Sequence, residues 1–169
     1  DTSFDNQMVH RASAHFRNAN VVAVTGPMRV RNASASIVTR LQSLEYMLSM
    51  QAGKLGLTEI NVINNVPGAF GIFRKSFLQQ IGGWNTGTAE DLDLTLRIKQ
   101  YQGRHPELRF EFEPGAVSHT DVPDKLIDFL KQRLRWDGDL LYIYANKHRL
   151  GISASIMGWN NFIFIMWYG

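Results

Sequence analysis

The chain has 169 residues, 44% of them hydrophobic, a formal net charge of +3 and no cysteine. This length suffices for one domain with a hydrophobic core, and the lack of cysteine excludes disulfides and thiolate metal sites. The weak positive charge does not by itself indicate nucleic acid, since an anionic small substrate or a membrane surface fits it equally well.

The first half of the chain contains one predicted strand followed by one predicted helix. Residues 21–30, VVAVTGPMRV, begin with β-branched residues and predict a strand that continues past a Gly-Pro pair. Residues 34–51 carry apolar side chains at helical spacing, and Ser34 or Ser36 is a candidate N-cap.

Strands and helices also alternate in the second half. Residues 69–73 and 108–113 predict strands, the latter from the alternating pattern LRFEFE. Residues 75–80 predict a short helix that ends at a Gly-Gly pair, and residues 90–102 and 123–147 predict longer helices. This alternation is typical of a layered α/β domain.

The last segment, residues 151–169, is strongly apolar and contains two tryptophans and a tyrosine. A membrane-spanning helix needs about 20 mostly apolar residues, and this segment falls short of that length. Its aromatic residues favour an interfacial helix or the start of a truncated span, and a C-terminal core helix is the alternative. Lys147, His148 and Arg149 just before it fit a cytoplasmic flank or a helix C-terminus.

Three acidic residues, Glu90, Asp91 and Asp93, follow a glycine-containing turn at a predicted helix start. Acidic side chains in this position interact favourably with the helix dipole, and Thr88 is a candidate cap. A carboxylate placed here also suits a general base. The spacing alone does not choose between the structural and the catalytic role.

The sequence KQRLRW places three cations, an amide and a tryptophan in six residues. On a helix, Gln132, Arg135 and Trp136 share one face. Arg133 is expected to point elsewhere and Leu134 to enter the core. Arginine binds phosphate oxygens, and an indole suits the apolar face of a sugar ring. The patch therefore suits a ligand that contains both a phosphate group and a ring. An amphipathic helix with a packed tryptophan explains it as well.

Together, the Glu-Asp pair and the later Gln-x-x-Arg-Trp sequence resemble the membrane-integrated family-2 glycosyltransferases, which include synthases of cellulose, hyaluronan and poly-N-acetylglucosamine. DTSFD resembles the end of that family's Asp-x-Asp metal motif, AVTGPMRVRN the strand after it, and VPGAFGIFRK and IGGW its acceptor-side loop. The resemblance implies an α/β fold, a Rossmann-like domain of GT-A type, with its C-terminal part at residues 1–150. Residues 151–169 would form a membrane-interface helix or the start of a transmembrane helix. The first half of the domain would precede Asp1, so this piece alone is expected to be inactive.

The resemblance implies an inverting glycosyltransferase. It would move a sugar from a nucleotide sugar, usually a uridine diphosphate sugar, to a polysaccharide or a lipid-linked acceptor. Asp91 would be the general base, with Glu90 shaping its field or the acceptor site. Asp1 would bind Mg²⁺ or Mn²⁺, which offsets the charge of the leaving diphosphate.

The resemblance also implies a set of substrate-binding residues. Gln132 and Arg135 would contact the diphosphate or the acceptor, and Trp136 would stack on the acceptor sugar. Gly68 would let the backbone approach the acceptor closely, since glycine lacks a Cβ. Trp84 is a candidate acceptor contact or a core residue.

The expected partners are the nucleotide sugar, a glycan or lipid acceptor and the membrane, without nucleic acid. The expected location is the inner, cytoplasmic membrane, with the catalytic domain facing the cytoplasm. The alternatives are a non-catalytic nucleotide- or carbohydrate-binding module at the membrane and a membrane-associated scaffold. His119 has no second metal ligand at a matching spacing and is interpreted as structural.

Overall fold

The structure is a computed structural model, and it describes residues 2–62, 65–85 and 87–168. The strands of this part of the chain are β1 (Thr2–Phe4), β2 (Val21–Thr25), β3 (Met28–Val30), β4 (Ile72–Phe73), β5 (Arg109–Phe112) and β6 (Ser118–Thr120). The helices are α1 (Met8–Ala14), α2 (Ile37–Tyr46), α3 (Lys54–Glu59), α4 (Lys75–Gln80), α5 (Glu90–Gln102), α6 (Leu126–Tyr142), α7 (Ala154–Met157) and α8 (Trp159–Tyr168). A 3₁₀ turn follows α1 (His15–Arg17), and π-helical segments extend α2 (Met47–Gly53) and α6 (Ile143–Lys147).

The strands form two three-stranded sheets. In one sheet β2 lies between β4, which is antiparallel to it, and β5, which is parallel. In the other sheet β6 lies between β1, which is antiparallel, and β3, which is parallel. Every residue of β2 is buried, as expected for a central strand covered on both faces.

The prediction of a single strand over residues 21–30 is wrong. β2 and β3 belong to different sheets, because the chain leaves the first sheet at Gly26 and Pro27. Proline has no N–H to donate to a strand ladder, so it suits such a break. The carbonyl of Pro27 accepts the backbone N–H of Ser118 at 3.0 Å, which ties the break to β6.

The predicted helices at residues 75–80 and 90–102 are confirmed as α4 and α5. Gly82 and Gly83 end α4 with φ angles of 85° and 62°, which L side chains rarely adopt. The two strands predicted in this half are present in shorter form as β4 and β5. The elements β1, β6 and α1 lie in stretches for which the sequence pattern predicts nothing.

Helix α2 buries polar side chains and exposes apolar ones. Ser36 caps it in a reciprocal capping box with Thr39, and the helix continues well beyond its predicted end through the π-helical segment into α3. Thr39, Gln42 and Tyr46 are buried, and the Gln42 amide donates to the carbonyl of Pro123 at 2.8 Å. The exposed apolar side chains of this helix and its extension are Ile37, Leu41, Leu44, Met47 and Leu48.

Helix α6 lies on the surface, and none of its residues is buried. It begins at Leu126 rather than at 123, and its α-helical part ends at Tyr142. The prediction that Leu134 enters the core is wrong, since this side chain is 71% exposed. The reason is that α6 contacts the domain through its polar and aromatic edge and turns all of its leucines except Leu140 outward. The exposed apolar residues of α6 are Leu126, Ile127, Leu130, Leu134 and Leu141.

Helix α5 is the centre of the domain and is buried on several sides. Leu94 and Ile98 pack with residues of β2 and β5 in one apolar cluster. Leu92 and Leu96 pack in another cluster with Ile143, at the end of α6, and with residues of α7 and α8. Because α5 contacts both the sheet and the C-terminal helices, its N-terminal turn is held where these layers meet.

The apolar C-terminal segment forms the short helices α7 and α8. The Asn161 amide is buried and donates to Gln102 Oε1 at 3.0 Å, so α8 packs against α5. Among the described residues, no helix combines the length and apolarity needed to cross a bilayer.

Replacing Gly26 by alanine is expected to destabilise the domain strongly. A Cβ at this position would overlap the carbonyl oxygen of Ala116 and lie 2.6 Å from the ring of Phe70. We expect the free energy of unfolding to fall by about 3 kcal/mol, the upper end of the usual cost of overpacking. The matched control is Gly56→Ala in α3, where no atom outside its chain neighbours and the local helix backbone lies within 4 Å of the new Cβ. This change should raise stability by up to about 1 kcal/mol. Equal stabilities in denaturant unfolding would contradict the expected clash.

Candidate active site

A cavity of about 480 Å³ opens where the N-terminal turn of α5 meets the loop at 65–69, α6 and α8. Asp91 and Trp136 both line it, although they are distant in sequence. The residues proposed from the sequence that meet at this cavity are Gly68, Glu90, Asp91, Arg135 and Trp136. The two motifs therefore share one concave surface.

Asp91 is held by three N–H groups. Its Oδ2 accepts the backbone N–H of Gly68 and the side-chain amide of Asn65, both at 3.0 Å, and its Oδ1 accepts the N–H of Leu92 at 2.8 Å. The chain enters α5 through Ala89, whose positive φ of 46° is uncommon for a residue with a side chain. This turn directs the carboxylate of Asp91 towards the loop at 65–69.

Asn65 and Thr95 orient this carboxylate, and the sequence patterns single out neither. The hydroxyl of Thr95 lies 3.0 Å from Asn65 Oδ1, which turns the amide nitrogen of Asn65 towards Asp91. Thr95 follows Asp91 by one helical turn, a spacing that points to this contact. The ammonium of Lys54 donates to the backbone carbonyl of Asn65 at 2.8 Å. Burial lowers the pKa of Lys54 to about 7, although the negative charge of Asp91 opposes this.

Gly68 lies against the two acidic side chains. A Cβ at this position would be 3.0 Å from Glu90 Oε1 and 3.5 Å from the Cβ of Asp91. Glycine therefore lets the loop donate its N–H to Asp91 at close range. A neighbouring cavity of about 420 Å³ shares Gly68, Glu90 and Asp91 and is also lined by Trp84. Trp84 packs edge-on against Phe73 and is 57% exposed, so it is not a core residue.

The guanidinium of Arg133 lies over the indole ring of Trp136, contrary to the prediction that Arg133 points elsewhere. The guanidinium of Arg133 lies 4.7 Å from the centre of the Trp136 ring and 4.9 Å from that of Phe129. It also binds both carboxylate oxygens of Glu45, at 2.8 and 2.6 Å. Residues 133 and 136 are three apart and are neighbours on a helix, which explains the contact. Gln132 is not among the cavity-lining residues, and its Oε1 is buried without a partner among the described residues.

Asp139 of α6 contacts the turn before α5, next to Arg135, at the cavity. It accepts a hydrogen bond from the hydroxyl of Thr88 and forms an ion pair with Arg135 at 3.7 Å. Thr88 therefore does not cap α5 as predicted, because Ala89 occupies the cap position. The guanidinium of Arg135 remains 65% exposed and is accessible to a ligand in the cavity.

Two tyrosines, Tyr46 and Tyr144, also line the cavity. Burial raises the pKa of each phenol above its ordinary value, although the positive charge of Arg133 opposes this at Tyr46. Both hydroxyls therefore stay neutral near pH 7 and keep a proton to donate.

The described residues do not by themselves form a metal site. They contain no group of three or more His, Cys, Asp or Glu side chains that could hold a metal ion. Asp1, the predicted metal ligand, lies outside the described residues. His119 contacts Asp5 through Nε2 at 3.1 Å, next to the pairing of β1 with β6, which agrees with a structural role.

The family described as glycosyl transferase family group 2 matches residues 1–168 of the chain. The chain belongs to this glycosyltransferase family. The match and the mixed α/β structure together support a GT-A-like domain.

The relatives of this glycosyltransferase include two staphylococcal poly-β-1,6-N-acetyl-D-glucosamine synthases. The Staphylococcus epidermidis protein is 31% identical over 121 residues, which cover 71% of this chain and 28% of the relative. The protein of Staphylococcus aureus strain COL is 31% identical over 140 residues, which cover 80% of this chain and 32% of the relative. The chain thus spans about a third of the length of the curated relatives it matches.

Asp93 links the helix that carries Asp91 to the end of the helix that carries Trp136 in this glycosyltransferase. It is fully buried, and its Oδ1 lies 2.7 Å from His148 Nε2 and 2.8 Å from the ammonium of Lys147. Its Oδ2 accepts a hydrogen bond from Arg97 at 3.0 Å. Burial alone would raise the pKa of Asp93, but the Lys147 and His148 hydrogen bonds and the Arg97 charge outweigh it and lower the pKa. The sequence identifies Asp93 only as one of three acidic residues.

Proposed function

We propose that this glycosyltransferase moves N-acetylglucosamine from a uridine diphosphate sugar to the end of a growing polysaccharide, with inversion at the anomeric carbon. The observation that carries the proposal is the shared cavity of Asp91 and Trp136, where a carboxylate and an indole face one space. The choice of sugar and acceptor rests on the names of the relatives, which are poly-β-1,6-N-acetyl-D-glucosamine synthases.

In the proposed mechanism, Asp91 removes the proton of the acceptor hydroxyl as its oxygen attacks the anomeric carbon. The bond between that carbon and the diphosphate oxygen breaks, and its electron pair leaves with the diphosphate. A carboxylate has about four acceptor positions, and the three N–H donors occupy two on Oδ2 and one on Oδ1. A position on Oδ1 therefore stays free for the incoming proton. Glu90, which is exposed beside Asp91, would shape the electrostatic field at the carboxylate of Asp91.

Arg135 and Trp136 are the proposed substrate contacts on α6. The exposed guanidinium of Arg135 suits a diphosphate oxygen, since arginine binds phosphate through a planar fork. The indole of Trp136 would stack on the acceptor sugar, while Arg133, which is bound by Glu45, lies over the ring of Trp136. Gln132, which is not among the cavity-lining residues, is the remaining proposed contact with the diphosphate or the acceptor. Gly68 and Trp84 would contact the acceptor.

Members of this glycosyltransferase family commonly use a divalent metal ion. We propose Mg²⁺ or Mn²⁺, with Asp1 as one ligand. The ion would offset the negative charge of the diphosphate. The described residues do not by themselves supply a complete ligand set for this ion.

We propose a location at the inner, cytoplasmic membrane, and the exposed apolar faces of α2 and α6 support contact with a membrane. The two helices are neighbours, joined by the ion pair of Arg133 with Glu45 and by the hydrogen bond from Ser36 to the Asp124 carbonyl. Large contiguous apolar surfaces of this kind mark interaction sites for membranes or proteins. We propose that these faces and α8 rest against lipid, as amphipathic interfacial helices do.

The test uses the protein as encoded by its gene, in its native membranes, supplied with labelled uridine diphosphate N-acetylglucosamine and Mn²⁺ or Mg²⁺. Incorporation of label into a polymer whose linkage analysis gives β-1,6 bonds is the expected result. Uridine diphosphate glucose serves as the matched control donor, and a chelator should stop the reaction. Binding of the donor without transfer, under all of these conditions, would favour the non-catalytic binding module instead.

A further inference from the structure

Two lysines of the described chain are almost completely buried, and their surroundings differ. Lys54 is 2% exposed and donates to the carbonyl of Asn65. Lys99 is 0% exposed on α5, yet its Nζ has no hydrogen-bond partner among the described residues. The Nζ of Lys99 lies 5.4 Å from the centre of the Phe164 ring. Lys99 also lines the cavity that contains Asp91.

An ammonium group buried without a partner is costly, so such a group loses its proton or receives a partner from outside the chain. Burial lowers the pKa of Lys99 to about 7, so part of the population is neutral near neutral pH. Both protonation states keep N–H groups that a ligand oxygen can accept. A lysine that served packing alone would be expected to reach a carbonyl, as Lys54 does.

Lys99 lies eight residues after Asp91 on α5, which corresponds to about 12 Å along the helix axis. A ligand that reaches from Asp91 to Lys99 is therefore longer than a single sugar ring. The cavity wall includes Phe164, whose ring lies over the Nζ of Lys99, and also Ile165 of α8 and Tyr144. Aromatic and apolar walls suit the faces of sugar rings, whereas a diphosphate would lose its hydration there with few cations to replace it.

We propose that Lys99 forms a second acceptor subsite, in which its Nζ donates a hydrogen bond to a hydroxyl or N-acetyl oxygen of a sugar residue behind the one that is extended. This inference rests on the proposed function, since it assigns the far end of the same cavity to the acceptor glycan. The subsite would hold the glycan after each addition and so favour longer acceptors over a single sugar.

The test compares wild type with Lys99→Met, which keeps an unbranched side chain one atom shorter and removes its donor. The protein encoded by the gene is assayed with β-1,6-linked N-acetylglucosamine acceptors of one, two and three residues. In wild type, KM should fall by about tenfold as the acceptor lengthens enough to reach Lys99, the value of one hydrogen bond to a charged donor. In Lys99→Met this dependence on length should disappear, while kcat and the KM of the nucleotide sugar stay unchanged.

The matched control is Lys54→Met, which removes a buried ammonium that has a carbonyl partner. It should lower the thermal unfolding temperature and leave the dependence of KM on acceptor length intact. Lys99→Met should not lower the unfolding temperature, since it removes an unpaired donor. If Lys99→Met does not fold, Lys99→Gln, which retains an amide donor, should fold and keep part of the length dependence.

An unchanged length dependence in the folded Lys99 variants would overturn the subsite. Failure of the proposed function has a different signature, because wild type would then transfer no sugar to any acceptor. In that case, calorimetric titration of the same oligosaccharides decides the subsite without catalysis. Equal affinities of wild type and Lys99→Met for the trisaccharide would then refute it.

Discussion

Replacing Asp91 by asparagine is expected to lower kcat for sugar transfer by at least about 100-fold, the contribution of a general base. The asparagine amide cannot take the proton of the acceptor hydroxyl, whereas the contacts proposed for the nucleotide sugar are made by other residues. The affinity for the nucleotide sugar should therefore stay unchanged. Steady-state kinetics and donor titration on the protein in membranes or detergent measure the two quantities separately.

The same substitution disturbs the hydrogen bonds around position 91. The carboxylate accepts N–H groups on both oxygens, so in either orientation the asparagine NH₂ group faces at least one donor. This costs about 1–3 kcal/mol of stability, and the folded state is therefore checked by thermal unfolding. The control is Glu90→Gln, in which an exposed carboxylate next to the base is neutralised and a smaller loss of turnover is expected. Retention of more than about a tenth of wild-type kcat by Asp91→Asn would disprove the role of Asp91 as base.

The second large effect is expected from Asp93→Asn, which should lower the free energy of unfolding by about 3–5 kcal/mol. The change leaves the ammonium of Lys147 and the guanidinium of Arg97 without their buried carboxylate. It also removes the charged link between α5 and the end of α6, so the cavity between these helices should lose its shape. Thermal or denaturant unfolding measures the loss of stability directly.

The pH dependence of stability provides a further check on Asp93. Its pKa is depressed in the folded state, so its contribution is present above the ordinary aspartate pKa of about 4 and is lost as pH falls through the folded value. Asp93→Asn should therefore flatten the acid side of the stability profile. The control is Asp128→Asn, which removes an exposed ion pair with Lys131 and should change stability by less than about 1 kcal/mol. Equal effects of the two variants would show that Asp93 is not a structural link.

Predictions from local pattern held where the neighbouring residues alone decide the conformation. Ser36 caps α2 because its side chain needs only the N–H of Thr39, and Gly82 and Gly83 end α4 because glycine adopts positive φ. The failures occur where a distant segment intervenes. Thr88 bonds to Asp139 instead of capping α5, and the break between β2 and β3 depends on the second sheet.

Several parts of the site have no signal in the local sequence. Asn65 holds Asp91 only because the loop at 65–69 folds back on α5. Arg133 lies over the ring of Trp136 because α6 lies next to α2, where Glu45 forms an ion pair with the Arg133 guanidinium. Lys99 lines the cavity because α8 and α6 close over α5.

The sequence by itself determined the glycosyltransferase family, the helices α4 and α5, and the residue types of the two motifs, since these depend on neighbouring residues and on characteristic spacings. Only the tertiary structure decided that Asp91 and Trp136 face one cavity, and which side of α2 and α6 is exposed. Apolar spacing identifies a helix but not what covers it, because burial depends on the elements that pack against the helix from elsewhere in the chain.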